Sequence, residues 1–335
     1  MHALTLFFLA FFVAPAEGTA LQRFTFEEPH MGTAFRIVVY APRREVAEKA
    51  ARAAFRRVTD LNAIMSDYVA SSELMRLCAR AGGPPVKVSD ELFFVLSRAR
   101  KVSEESDGAF DVTVGPLVRL WRIARKTRRL PDAEKLQAAR ALVGYKLVEL
   151  DEKTRTVRLL KPGMQLDLGG IGKGYAADEM LKVLADHGLK HALIAAGGDI
   201  TVGEAPPGRD GWVVAIAPVE ASKEGPRYLT LVRASVSTSG DAEQFVEIDG
   251  KRYSHIVDPR TGVGLIGRQS ATVVAPDGIT ADSLTKVVAI LGPQRGFPVL
   301  ASYKGVSGRH VRRTDDGVEV KLSRNFPALA TSGTK

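Results

Sequence analysis

The sequence predicts an α+β fold, with mixed β-sheets and helices packed on them. Three observations lead there. In REVAEKAARAAFRRVTDLNAIM (44–65), Val46, Ala50, Ala53, Ala54, Val58, Leu61 and Ile64 recur at helical spacing. The second half of the chain is instead rich in strand-like runs: WVVAIA, YLTLVRASVSTSG, QFVEIDGKRYSHIVD and SATVVAP. Between two of these alternating stretches stands Asp249-Gly250, a strong signal for a two-residue hairpin turn.

The other elements follow in order. FRIVVYA (35–41) reads as a strand ahead of the first helix. A second helix starts at Ser89, with Asp90 and Glu91 in its first turn and Gly108 just past its end. KLVELDEKTRTVRLL (146–160) reads as a hairpin, and the stretch from Gly174 to His187 as a helix with Met180, Leu181 and Leu184 on one face. HALIAAGGD is a short buried strand running into a glycine turn. A last helix runs from near Thr280 to Leu291, stopped by Gly292-Pro293.

At 335 residues the chain can bury a substantial core, and a net charge of +9 makes it basic. Much of that excess sits in WRIARKTRR (121–129), read as a solvated loop or helix face, with a basic rim for an anionic ligand as the alternative. No interleaved aromatic platform accompanies the charge, which argues against nucleic acid as a partner. Residues 4–13, LTLFFLAFFV, are too short to anchor in a bilayer but suit the core of a signal peptide. APAEGTA then offers cleavage after Ala16 or Ala20, so residues 1–20 are expected to be a leader and 21–335 the working domain. Export to a periplasm or cell surface follows, without lipidation, since the single Cys78 lies far from the cleavage region.

LDLGGIGKGYAAD (166–178) imitates a phosphate-binding loop. A true one needs Gly, four residues, then Gly-Lys and Ser or Thr. Here Asp167 stands where the first glycine belongs and Gly174 where the hydroxyl belongs. Gly169, Gly170 and Gly172 can permit a tight strand-to-helix turn, or bare a helix start to an anion. Lys173 is an unusual choice at a helix N-terminus unless a phosphate or Asp167 lies beside it. Tyr68 can pack at a helix end or stack on a planar ring. His255, followed closely by Asp258 and Arg260 in a polar turn, is a candidate acid or base. Asp282 can cap a helix or bind a hard cation.

Taken in series, LDLGGIGKGYAAD, AGGD (196–199) and SHIVDPRTG (254–262) resemble the ApbE-like flavin transferases, the FAD:protein FMN transferase family. The resemblance implies binding of FAD, a requirement for Mg²⁺, and transfer of FMN to a Thr or Ser hydroxyl of an exported acceptor flavoprotein, a membrane redox protein, with release of AMP. It implies FAD contacts for Met31, Tyr68, Ala109, Phe110, Asp111, Asp167, Lys173 and His255, with His255 or Asp282 taking the proton from the hydroxyl. It places the metal between the Gly170 carbonyl and Asp282. Two other readings of the same site are FAD hydrolysis to FMN and AMP, and flavin binding without catalysis. One position departs from the family: a Thr or small residue completing the metal site is replaced by Lys286. Either Lys286 points away and the ion keeps Asp282, or its ammonium pairs with Asp282 in place of the ion. The intact Asp282 and glycine turn favour a retained ion of weaker affinity.

Overall fold

The computed structural model describes residues 20–216, 227–240 and 244–331, so the expected leader, Ala20 apart, lies outside the described residues. Strands β1 (Gln22–His30) and β2 (Thr33–Ala41) come first, then helices α1 (Arg44–Met65) and α2 (Glu73–Cys78). A short strand β3 (Val86–Lys87) precedes α3 (Asp90–Glu105), α4 (Gly115–Thr127) and α5 (Ala133–Arg140). The hairpin β4 (Val148–Asp151) and β5 (Thr156–Leu159) leads to α6 (Gly172–Asp186), β6 (Ala192–Ala196) and β7 (Asp199–Val202). The strand-rich stretch holds β8 (Trp212–Ile216), β9 (Arg227–Leu231), β10 (Ala234–Gly240), β11 (Phe245–Ile248), β12 (Lys251–Val257), β13 (Gly264–Ile266) and β14 (Gln269–Ala275). Last come α7 (Gly278–Ala301) and the hairpin β15 (Ser307–Thr314) and β16 (Gly317–Leu322).

An eight-stranded sheet, ordered β1-β2-β6-β7-β10-β14-β15-β16, forms the centre. The class is α+β as expected. Every pairing within this sheet is antiparallel, so strand directions are not mixed in it. Alternation along β2 divides the two faces. Ile37 and Val39 point into a core shared with Ala50, Ala54 and Leu61 of α1, Met180 of α6 and Leu284 of α7. Val38 points the other way, to a second core with Val202, Val236 and Val274 under the β8–β9 pair. Ser89 caps α3 as expected, its hydroxyl accepting from the Leu92 amide. Asp249 and Gly250 both take positive φ (51° and 72°), as the two-residue turn requires.

Two expectations change. The basic run is not a solvated face throughout: Leu117, Trp121 and Ala124 are buried on one side of α4. They pack on Val246, Tyr253 and Val257, so α4 fixes the β11–β12 hairpin that carries His255. The last helix does stop at Gly292, whose φ of 69° and ψ of 174° break its path, but it then resumes through Pro293 to Ala301. Proline suits that restart, because a first-turn residue has no intrahelical N–H bond to lose.

Helices α6 and α7 meet at their N-termini with glycine against glycine. A Cβ on Gly174 would stand 2.1 Å from the Gly278 carbonyl oxygen, and one on Gly278 would stand 2.5 Å from that of Gly174. Each helix then supplies a carboxylate to the other. Asp178 of α6 accepts from the Gly278 and Ile279 amides at 2.6 and 2.9 Å, and Asp282 of α7 accepts from the Gly174 amide at 3.0 Å. Gly174→Ala is expected to lower stability by about 3 kcal/mol, the upper end of overpacking costs, because backbone must move rather than a side chain. Urea unfolding measures it; an unchanged midpoint would mean that the helices slide apart freely.

Candidate functional site

The crossing of α6 and α7 places Asp282 at the bottom of a polar site. Asp282 is fully buried (0% exposed). One carboxylate oxygen accepts from the Gly174 amide, and the other pairs with the Lys286 ammonium one helical turn on. Burial alone would raise its pKa, but Lys286 and Lys173 outweigh that and hold it below the usual carboxylate range. Lys173, on the first turn of α6, donates to the Gly169 carbonyl at 3.1 Å and stands 3.8 Å from Asp199 at the start of β7. Burial pulls its pKa down, but Asp282, Asp199 and Asp167 together raise it, so it is charged. Asp199 is itself buried and accepts from the Ser237 hydroxyl.

Gly169, Gly170 and Gly174 serve close approach rather than tight turning. Among Gly169, Gly170, Gly172 and Gly174 none has positive φ. A Cβ on Gly169 would sit 2.9 Å from the Asp167 carboxylate, and one on Gly170 would sit 3.3 Å from the Phe110 ring and 3.5 Å from Cε of Lys286. The α6 start is not open to an external anion at Gly174, because Asp282 already takes that amide.

Asp167 accepts from the Gly169 amide at 2.8 Å and from Arg122 of α4 at 3.0 Å. Arg122 also bonds Asp67 at 2.5 Å and lies 4.3 Å from the centre of the Tyr68 ring. Tyr68, 77% exposed, is thus stacked on a guanidinium with the rest of its ring open. Sequence reasoning missed Arg122 by counting it in a charge run. The helical spacing of Leu117, Trp121 and Ala124 was the signal that one face of that run is inward.

Other expected residues divide. Phe110 borders Gly170, inside the site. Ala109 is fully buried, and the Asp111 carboxylate is consumed by the Thr113 amide and hydroxyl and the Tyr145 amide. Neither side chain can therefore reach a ligand; Asp111 holds the loop in shape. Met31 occupies a left-handed turn (φ 46°) between β1 and β2. That turn adjoins the one at Gly197, where an added Cβ would stand 3.3 Å from the Thr33 hydroxyl.

His255 is not bonded to the Asp258 that follows it. Asp258 is bound by Arg260 through two side-chain contacts of 2.7 and 2.9 Å, and the turn closes on itself. Trp121 donates to the Gly262 carbonyl at 2.8 Å and pins that turn. His255 instead has Nδ1 3.1 Å from the Gln244 carbonyl, an oxygen that can only accept. Nδ1 therefore carries the proton and Nε2 keeps its lone pair. Burial pushes the imidazole pKa down to about 4; the Gln244 bond opposes this, and the charges of Lys286, Arg125 and Lys173 add to it.

With this geometry in place, the comparisons are decisive. A family model described as ApbE family matches residues 31–308. The chain belongs to the ApbE family. A protein of Klebsiella pneumoniae named FAD:protein FMN transferase is 37% identical over 250 residues, covering 74% of this chain and 77% of that one. One of the same name from Treponema pallidum is 34% identical over 82% of this chain and 81% of its own. The flavin transferase ApbE of Vibrio cholerae superposes with a TM-score of 0.83 at 29% identity, over 91% of this chain and 98% of that chain.

The metal implied by this family does not fit the residues present. Both Asp282 oxygens are already taken, and Lys286 lies between Asp282 and Gly170, where the ion is expected. An ammonium and a divalent ion about 4 Å apart repel by ~8 kcal/mol at an effective dielectric of ~20. No group of three or more His, Cys, Asp or Glu able to hold a metal occurs among the described residues. Of the two arrangements open at Lys286, the structure adopts the ion pair, against the retained-ion expectation.

Two outcomes follow. Arg122→Met leaves Asp67 and Asp167 unpaired at a partly exposed site, so it should cost about 1–3 kcal/mol, below the ~3–5 of a fully buried pair. An unchanged unfolding midpoint would mean that Arg122 holds nothing. For His255, the unfolded chain takes up a proton near pH 6.5 while the folded one waits until about 4. Stability should therefore fall as pH drops through that window, and His255→Gln should lack that part of the slope in pH-dependent denaturation. Identical slopes in the two proteins would contradict the neutral, half-buried imidazole.

Proposed function

We propose that this chain is an FAD:protein FMN transferase, moving FMN from FAD to a Thr or Ser hydroxyl of an acceptor flavoprotein and releasing AMP. The observation that carries the reading is Asp282 flanked by Lys286 and Lys173, with the neutral imidazole of His255 in the field of both ammonium groups, in a member of this family. Export, through the apolar leader, places enzyme and acceptor outside the cytoplasm, with a membrane redox protein as the acceptor. The Mg²⁺ of the family is left out of this reading, because Lys286 holds its place.

The acceptor oxygen attacks the FMN-side phosphorus, the bond from that phosphorus to the bridging oxygen breaks, and AMP leaves with that oxygen. The hydroxyl proton passes to Nε2 of His255, the nitrogen left free by the Gln244 contact. A base whose pKa is near 4 is weak; burial is the main cause, and the phosphates of FAD offset the further lowering by Lys286, Arg125 and Lys173. Lys173 and Lys286 counter charge on the phosphates, the dominant requirement of phosphoryl transfer. Asp282 orients the Lys286 ammonium rather than taking the proton, since its two oxygens are occupied. Tyr68 on Arg122 offers a flat, open ring for a planar group.

Incubation of the chain with FAD and acceptor domains of several membrane flavoproteins should yield AMP and an acceptor heavier by one FMN, read by mass spectrometry. AMP without a labelled acceptor would indicate hydrolysis, and no FAD binding at all would remove the reading. His255→Ala should lower turnover by ~10²–10⁴-fold, typical of a lost general base, with FAD affinity little changed. Normal turnover at saturating acceptor would reduce His255 to packing.

A further inference from the structure

We propose that the Lys286 ammonium is the resident cation of the pyrophosphate site, and that flavin transfer by this chain needs no divalent ion. The proposal rests on the function given above and deepens it. Asp282 and Lys286 share a face of α7, four residues apart, with side chains 0% and 15% exposed. The stem of Lys286 passes beside Gly170, with Cε and Cγ 3.5 and 3.6 Å from where a Cβ would stand. Its ammonium thus sits between the carboxylate and the glycine turn.

No neighbouring hydroxyl restores the missing ligand. Thr285 donates to the Asp282 backbone carbonyl at 2.7 Å and lies 3.0 Å from the Ser239 hydroxyl, while Ser283 donates to the Ile279 carbonyl at 2.8 Å. Both are committed to helix or sheet. Charge bookkeeping agrees with the geometry. Asp282 faces Lys286 and Lys173, and Lys173 also faces Asp199 and Asp167, so the carboxylates here have ammonium partners without an ion. An ammonium has three donors. Lys286 gives one to Asp282, leaving two for phosphate oxygens, and lysine is an effective point-charge partner for phosphate.

The test uses the full mature chain, Mn²⁺ as a spectroscopic stand-in for Mg²⁺, and Lys286→Thr. Titration of Mn²⁺ into the FAD-loaded chain, followed by electron paramagnetic resonance with free FAD as control, should show no site beyond that of free FAD. AMP release with an acceptor should be equal within about twofold in EDTA and in Mg²⁺. Lys286→Thr should gain a Mn²⁺ site at least tenfold tighter, lose most turnover in EDTA, and recover it when Mg²⁺ is added. A stoichiometric Mn²⁺ site in the unaltered chain, or turnover abolished by EDTA and restored by Mg²⁺, would overturn the proposal while leaving the transferase function intact. Absence of AMP with and without metal would instead remove the function, and the Mn²⁺ titration, which needs neither turnover nor the variant, would still decide the place of Lys286.

Discussion

Two helix N-termini point into the same space where α6 crosses α7, and the exchange of carboxylates between them is what the rest of the site depends on. Unsatisfied amides and partial positive charge at both ends would repel. Asp178 answers the end of α7 and Asp282 answers that of α6, at an approach that only Gly174 and Gly278 permit. A carboxylate is thereby buried completely beneath the surface proposed to receive the phosphates. Burying it uncompensated would cost several kcal/mol or force its protonation. The lysines on either side resolve that cost, and the same two ammonium groups become the positive charge offered to an anionic substrate.

Around this centre each support is mechanical. Trp121 pins the turn after β12 and packs on Tyr253, so the hairpin bearing His255 is held by α4. The same helix extends Arg122 to Asp167, Asp67 and Tyr68, tying the loop before α6 to the end of α1. Gly198 lets the β6–β7 turn approach β10, since a Cβ there would meet the Thr238 carbonyl oxygen at 2.6 Å. Asp199 is thereby brought within reach of Lys173. Residues distant in sequence converge because the antiparallel sheet ends and two helix starts share one edge.

Much of this is legible in the sequence. The periodicity of α1, the Ser89 cap, the Asp249-Gly250 turn and the motif series are local patterns, and local physics sets them. The glycine-lysine run was legible as a site but not in its reason: Gly174 serves a helix crossing with a partner about a hundred residues away, which no local pattern encodes. Arg122 was hidden by its charged neighbours, and Asp111, an FAD contact by resemblance, is consumed by Thr113 beside it and by Tyr145, which no local pattern links to it. His255 gains no contact from the polar turn that follows it. Asp258 is near it in sequence, but Arg260 is nearer in space and better shaped to hold a carboxylate.

Asp282 is satisfied wholly from within the protein, by the Gly174 amide and the Lys286 ammonium. Anomalous diffraction from crystals of the chain bound to FAD and soaked in Mn²⁺ tests it most directly. The account predicts no manganese peak beside Asp282, and density for the Lys286 ammonium between that carboxylate and the pyrophosphate. A manganese ion bridging Asp282 and the Gly170 carbonyl, with Lys286 turned aside, would contradict it.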